Sequence, residues 1–341
     1  MRYLRSGITA LALVLGSMAQ AAEPVKLSLF SWPGYGFWFI AKEKGLTEGL
    51  ELDISIIEDP YQSFALMTAG ELHATSSTAE YGPIAADKEV GIKLVTYTNP
   101  SYGTDKIILA PGISSAEQLK GKTVAVLEGG LTQIFMAEWL ADNGVGIEEV
   151  SFTNLIMDDA VGAMVGGTAA AAEFWEPYGS QVLEAMPGAT VAADSTEEKY
   201  ITTAMLGDAM YMSTAFLEQR PEDAAKLARA YFNAVDYWKA NTAEANQIIA
   251  DGLRFKVADV EQVLGSTGEI LKGGIFVFDR EQAAIFMGLK EGELPLNIIS
   301  DGMKNHWDIT TEWWLKFGFI DRALPMSAGV DTTPLAKALE E

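Results

Sequence analysis

The sequence predicts an α/β protein built as two lobes, and three observations predict it. Short alternating apolar runs, each followed by a turn and an amphipathic stretch, occur in two successive sets. At 341 residues the chain is too long for one small core. Near Arg220-Pro221 the pattern changes from strand–helix alternation to helices alone. A hydrophobic content of 49% with 21% charged residues is that of an ordinary folded protein.

The first element is the run Val25 to Phe30, which alternates apolar and polar residues and reads as a strand. Pro33, Gly34 and Gly36 break it, and Phe39 to Gly45 reads as a short helix closed by Gly45. Trp32, Tyr35, Phe37 and Trp38 therefore sit on a turn at the carboxyl end of a first parallel strand, where open α/β sheets place ligands. A single aromatic there reads as core packing. Four of them, spaced by glycines that expose the backbone, read as the wall of a small-molecule pocket.

Leu52 to Ile57 is a second strand, residues 60–69 a helix stopped by Gly70, and Leu72 to Thr75 a third strand. Ser76-Ser77-Thr78 then offers hydroxyls and N-caps to a helix around residues 79–88. Capping explains Ser77 and Thr78 as well as ligand contact does. Ile92 to Thr98 is a fourth strand, interrupted by Asn99 to Gly103 and resumed at Lys106 to Ala110. This reads as the first crossing between lobes, with Tyr102 in it as a candidate contact. Ser114 and Glu117 form a capping box for a short helix.

Thr123 to Leu127 opens the second αβ unit and runs into Glu128-Gly129-Gly130-Leu131-Thr132, then a helix over residues 133–142. Free N–H groups and the helix dipole make such a turn a carbonyl or oxyanion seat. It is no Walker or dinucleotide loop, since the glycine spacing and the lysine are missing. Glu128 at its mouth disfavours a fully ionised anion. Val150 to Asn154 is a strand, residues 158–165 a helix, and Ala169 to Phe174 a buried strand that delivers Glu173, Trp175, Glu176 and Pro177. Further strands over residues 191–193 and 209–212 flank the second crossing. Helices follow over residues 222–241, 243–252, 257–272, 280–290 and 309–319.

Several classes of function are excluded. The chain has no cysteine, so disulfides, thiol catalysis and thiolate metal sites are ruled out. His73 and His306 are its only histidines, and His73 reads as packing. No Gly-x-Ser-x-Gly or His-Glu-x-x-His motif is present, and no cofactor or metal is expected. A carboxylate pair is the one enzymatic option left.

Residues 1–21 read as a cleaved secretory signal peptide, with Arg2 and Arg5 before an apolar stretch and Ala19-Gln20-Ala21 at the cleavage site. Without cysteine the mature protein is not lipidated, and a bacterial periplasm is the expected compartment. The formal net charge of −23 becomes −25 when the two arginines leave. That surface argues against nucleic acid and anionic membranes. It fits solubility in a salty habitat, or a field that concentrates cations.

Four features in order resemble the periplasmic substrate-binding proteins of the nitrate/sulfonate/taurine ABC importers, a group that includes thiamine-pyrimidine-precursor binders. They are Trp32 to Tyr35 with Ile40 to Gly45; Ala69 to Ala74; Leu119 to Val126; and Asp159-Ala160 leading to Trp175-Glu176-Pro177. The resemblance covers about residues 25–220. It implies a two-lobed type II periplasmic binding fold, each lobe a mainly parallel sheet with flanking helices, and two crossings at the hinge. The implied lobes are residues 22–103 with 214–341, and residues 104–213, with boundaries within ten residues. A membrane permease and an ATPase are the implied partners, and a monomer the implied state.

On this reading Trp32, Tyr35, Phe37, Ser76, Thr78 and Tyr102 face the ligand from the first lobe. Glu128, Gly130, Thr132, Glu173 and Trp175 face it from the second. Glu176 recurs in the family pattern and reads equally as scaffold. The family usually has Asp at His73 and Gly-Ser at the second-lobe turn, where this chain has Gly129-Gly130. Aromatic walls and acceptor-only carboxylates point to a cationic or amino-heterocyclic ligand. The alternative is an oxyanion such as an alkanesulfonate, taurine or nitrate, for which the identified turns hold no arginine or lysine. A pyrimidine-precursor enzyme on this fold is the remote alternative. Transport and signalling use the same closed lobes.

Overall fold

The computed structural model describes residues 23–340, so the expected signal peptide lies outside the described residues. Its strands are β1 (Val25–Leu29), β2 (Leu52–Ile56), β3 (Ala74–Thr78), β4 (Ile92–Tyr102), β5 (Lys106–Leu109), β6 (Thr123–Val126), β7 (Ser151–Asn154), β8 (Ala171–Phe174), β9 (Thr190–Asp194), β10 (Gly207–Ser213) and β11 (Gly274–Ile275). They form two mixed sheets, ordered β11-β4-β10-β3-β1-β2 and β7-β6-β8-β5-β9. Each sheet with its helices is one lobe.

The two sheets repeat one plan. β1 is parallel to β2 and β3, and β6 is parallel to β7 and β8. Beside the third strand of each set lies an antiparallel strand delivered from the other half of the chain. β10 pairs with β3 and β4, and β5 pairs with β8 and β9. β10 stands in the first sheet, within the ten-residue margin of the expected boundary at residue 213.

Other expectations shift as well. Ser76, Ser77 and Thr78 are not a turn but the end of β3, paired with Met210, Ala209 and Asp208. No side chain caps the helix that follows. Asn99 to Tyr102 does not interrupt β4, because β10 pairs along one edge and β11 along the other. Such pairing overrides local turn chemistry. Ser114 and Gln118, not Glu117, tie the short turn at residues 116–119, with Ser114 N–H donating to Gln118 Oε1 at 2.7 Å. The helix expected over residues 257–272 stops at Leu264, because Gly265 and Gly268 adopt positive φ.

Helix α1 (Phe37–Glu43) starts on the aromatic turn and packs against the helix Pro221–Ala240. Phe37 is fully buried, with ring centroids 5.5 Å from Tyr231 and 5.8 Å from Trp238. Trp38 Nε1 donates to Ser76 Oγ at 2.8 Å. The C-terminal helices do not all attach to the first lobe. In the helix Gly302–Phe317, Trp307 belongs to the first core while Trp313 and Trp314 join the second-lobe core around Leu131 and Phe135. No helix among the described residues is long and apolar enough to cross a membrane.

Phe37 is therefore core, which gives a direct test. Phe37→Ala should cost about 3–4 kcal/mol of stability, read as a lowered melting temperature by calorimetry of the protein without added solute.

Candidate ligand-binding cleft

A small cavity lies where the two crossings meet. β1 delivers Phe30, Trp32 and Tyr35 to it, β3 delivers Thr78, and β4 delivers Asn99 and Ser101. Gly207 and Asp208 come from β10, and Asp105 from the residue before β5. Leu131 and Trp175 come from the second lobe. Phe30 and Trp175 touch across the seam, with ring centroids 5.6 Å apart. Trp32 meets Tyr35 edge-on at 5.1 Å.

The indole N–H groups of Trp32 and Trp175 are buried with no acceptor, one on each lobe. Asn99 Oδ1 is buried without a donor. Buried polar atoms are ordinarily satisfied, so a cavity ringed by orphans is a recognition surface.

Of the eleven residues expected to face the ligand, Trp32, Tyr35, Thr78 and Trp175 line this cavity. The others have different work. Phe37 is in the first core, and Ser76 accepts from Trp38. Tyr102 is half-buried in β4, beside β11. Thr132 Oγ1 accepts from Leu127 N–H at 2.7 Å and so braces the turn. Glu128 is exposed, and its N–H donates to Asn154 Oδ1 at 3.0 Å. Glu173 is fully buried behind Asp105 and is not on the cavity wall. His73 accepts from Lys26 N–H at 2.9 Å and packs on Phe216.

Gly130 starts helix α4 (Leu131–Asp142) under the first lobe. Helices α2 (Pro60–Thr68) and α3 (Tyr81–Asp87) bring Tyr61 and Tyr81 down onto the glycine pair. A Cβ on Gly129 would stand 2.3 Å from the Tyr61 hydroxyl, and one on Gly130 2.6 Å from that of Tyr81. Gly129 also has φ +75°. The expected oxyanion seat is therefore a lobe–lobe contact. Its N–H groups are engaged as well: Gly129 donates to Gln133 Oε1 at 2.8 Å, and Leu131 to Thr78 Oγ1 at 3.3 Å.

The residues that sequence reasoning missed are chiefly acidic and amide groups. Asp208 is a lone acid in the buried strand Gly207–Ser213, opposite both Thr78 and Asn99. Tyr35 donates its hydroxyl hydrogen to Asp208 Oδ1. A single acid in an apolar run was the available signal. Asp105 and Glu173 are also buried, and neither Glu173 oxygen has a hydrogen-bond partner. Among the described residues none of these three carboxyls makes an ion pair. The nearby cation, Lys106, is bonded instead to Glu176 Oε1 at 2.8 Å and to the Gly103 carbonyl at 2.7 Å. Glu176 also accepts from Ser180 N–H at 3.0 Å, so it is scaffold here.

Burial is the main cause that pushes the Asp105 carboxyl up to about 6. Burial likewise holds Glu173 well above the usual carboxylate range, with the charge of Asp105 adding to it. Asp208 is raised by burial too, against the opposing hydrogen bond from Tyr35.

Residues 32–245 match the family described as "NMT1/THI5 like". The chain belongs to that family. The Bacillus subtilis (strain 168) protein named "Putative aliphatic sulfonates-binding protein" is 26% identical over 314 residues, covering 89% of this chain and 84% of that one. Among solved structures, the alkanesulfonate-binding protein SsuA of Xanthomonas axonopodis pv. citri bound to MOPS superposes with a TM-score of 0.69 at 15% identity. The match covers 91% of this chain and 99% of that one. The periplasmic nitrate-binding protein NrtA of Synechocystis PCC 6803 gives a TM-score of 0.69 at 14% identity, covering 92% and 86%. The two-lobed periplasmic binding fold expected of this NMT1/THI5-like chain is thus the one it has.

Two outcomes test the cleft itself. Asp105 is raised above its usual 3.8, so its contribution favours the fold below that value and is lost as pH rises through about 6. Folding stability should rise by about 1.4 kcal/mol as pH falls from 7.5 to 5, part of about 3 kcal/mol for the whole shift, read as a higher melting temperature, and Asp105→Asn should flatten the rise. Gly130→Ala should push Tyr81 off the turn and enlarge the radius of gyration in small-angle scattering, and adding Tyr81→Phe should largely reverse the change.

Proposed function

We propose that this protein is the extracytoplasmic solute-binding component of an ABC importer, and that it holds a small organic ligand bearing a sulfonate-type oxyanion between its lobes. The single observation that carries this reading is the pair of orphaned indole N–H donors, Trp32 Nε1 and Trp175 Nε1, lining one cavity from opposite lobes. Two donors on rigid aromatic rings suit an oxyanion and close the lobes around it. The Bacillus and Xanthomonas relatives, named for sulfonates, support that class over the cationic or amino-heterocyclic ligand that the turns alone favour. The cationic reading finds no counterpart among those relatives.

The expected partners are a membrane permease and an ATPase that receive the closed form, with the monomer as the working unit and a periplasm as the compartment. The protein acts as a non-catalytic receptor on this reading. Neither histidine is on the cavity wall: His73 bonds to Lys26, and His306 lies against Glu80.

Isothermal calorimetry on the mature chain tests the class. A short alkanesulfonate should bind with measurable heat, while nitrate, lacking a carbon body to fill the aromatic walls, should bind more weakly. Trp32→Ala or Trp175→Ala should each lose about 1–2 kcal/mol of binding, roughly fivefold to thirtyfold in Kd. Absence of binding by any sulfonate would remove the proposal.

A further inference from the structure

The rim of the cavity carries the two indole donors, but its floor is acidic. Asp105 and Asp208 both line it, each at most 4% exposed. An anion held by the rim therefore meets carboxyls below it.

Asp105 is half of a pair. Glu173 lies behind it at zero exposure and finds no donor among the chain's amides, hydroxyls and ammonium groups. What faces Glu173 is the Asp105 carboxyl, within hydrogen-bonding reach beside the Lys106–Phe174 step that opens the β5–β8 ladder. Two ionised carboxylates offer each other only lone pairs, so they keep such a contact only with a proton between them. Glu80 ahead of α3 and Asp208 on β10 add negative charge around the pair. Ser101 on β4, through a hydrogen bond to Asp105, and Lys106 on β5 oppose it. The Lys106 ammonium is itself bonded to Glu176 Oε1 and the Gly103 carbonyl.

Such a pair titrates in two steps. The first proton stays with Glu173, which burial and the charge of Asp105 hold well above the usual carboxylate range. The second belongs to Asp105, pushed up to about 6. At pH 7.5 the pair therefore holds one proton and leaves one negative charge on the cavity wall. An anion entering the cavity stands against that charge, and a like charge nearby disfavours the ionised form.

Given the sulfonate-type oxyanion proposed above, we infer that the solute enters together with a proton: Asp105 of the Asp105–Glu173 pair takes a proton from solvent as the anion is bound and returns it as the anion leaves. Well below pH 6 the pair is fully protonated with or without solute, and affinity is level. Above that, binding must draw a proton, so Kd rises with pH until the pair is ionised in the complex as well.

Propanesulfonate, whose own charge is constant between pH 5 and 8.5, tests this by calorimetry on the unaltered protein. Its Kd is expected to weaken about tenfold from pH 5 to 8.5, for a rise of about one unit in the Asp105 pKa on binding. At pH 6.5 binding should take up about half a proton per solute, read from the difference in heat between imidazole and maleate, buffers of unlike ionisation heat that bear no sulfonate or phosphate. Asp105→Asn keeps the side chain's shape and cannot ionise, so it should level Kd across the range and cancel the buffer difference. Where that variant folds poorly, Glu173→Gln serves. Its amide N–H stands in for the first proton and steadies an ionised Asp105, so the weakening should begin at lower pH. Equal Kd at pH 5 and 8.5 with equal heats in the two buffers overturns the proton coupling and leaves the sulfonate reading standing. Proton uptake unchanged in Asp105→Asn overturns the role of the pair. Absence of binding by any sulfonate removes the oxyanion reading, and the coupling with it.

Discussion

The structure depends on two antiparallel strands that each cross into the other half. β5 leaves the first sheet and inserts between β8 and β9, and β10 returns to insert between β3 and β4. Strands in such central positions are paired on both edges, so neither crossing can shift without breaking a whole ladder. The two crossing segments are also tied to each other. Ser195 Oγ bonds to Ser101 Oγ and accepts from Gly103 N–H at 2.7 Å, and Ser195 N–H donates to the Asp105 carbonyl at 3.0 Å. Asp105 and Asp208 lie at the starts of these two strands. Topology thus brings two acids together that are 103 positions apart in sequence, at the point about which the lobes would turn.

The seam away from the hinge is built differently. There the contact is aromatic ring on bare backbone, with Tyr61 and Tyr81 resting on Gly129 and Gly130. Such a contact gains dispersion, and it buries the Tyr81 hydroxyl without a partner. It releases without leaving a charge exposed. Thr78 adds a polar bond there, accepting from Leu131 N–H at the start of α4. A serine at Gly130 would place its side chain into the Tyr81 ring, so the tyrosine and the glycine imply one another. The departure from the Gly-Ser pattern is in this sense a packing change on the first lobe, read out on the second.

Local periodicity made most of the fold legible. The parallel strands and their helices lie within a few residues of where alternation and glycine stops put them. The strands it missed are set by non-local pairings, while the shortened helix at Leu264 and the Ser114 turn are local errors. Ser76 to Thr78 look like a cap and Asn99 to Gly103 like a break, and only the arrival of β10 and β11 makes them strand. The site followed the same rule. Trp32, Tyr35 and Trp175 were legible because each follows a strand directly, at the carboxyl edge. Asp208 was not, since β10 runs antiparallel and presents its first residues to the cleft. Glu128 and Glu173 carried the right chemistry on the wrong faces. One points to solvent, and the other lies a layer behind Asp105.

The distribution of charge supplies the last step. A chain with 47 acidic and 24 basic residues repels a bare anion at long range, though the Debye length of about 8 Å in physiological salt limits this to close approach. Affinity for an oxyanion must then come from inside the cleft, from neutral donors such as the indole N–H groups, whose hydrogen bonds strengthen as water leaves. The carboxyls on the floor work against that anion when ionised and cease to when protonated or paired. Burial has already moved Asp105 to about 6, so the protonation of the floor is within reach of ordinary pH changes. On the proposed reading, rim and floor are coupled through the charge of whatever lies between them.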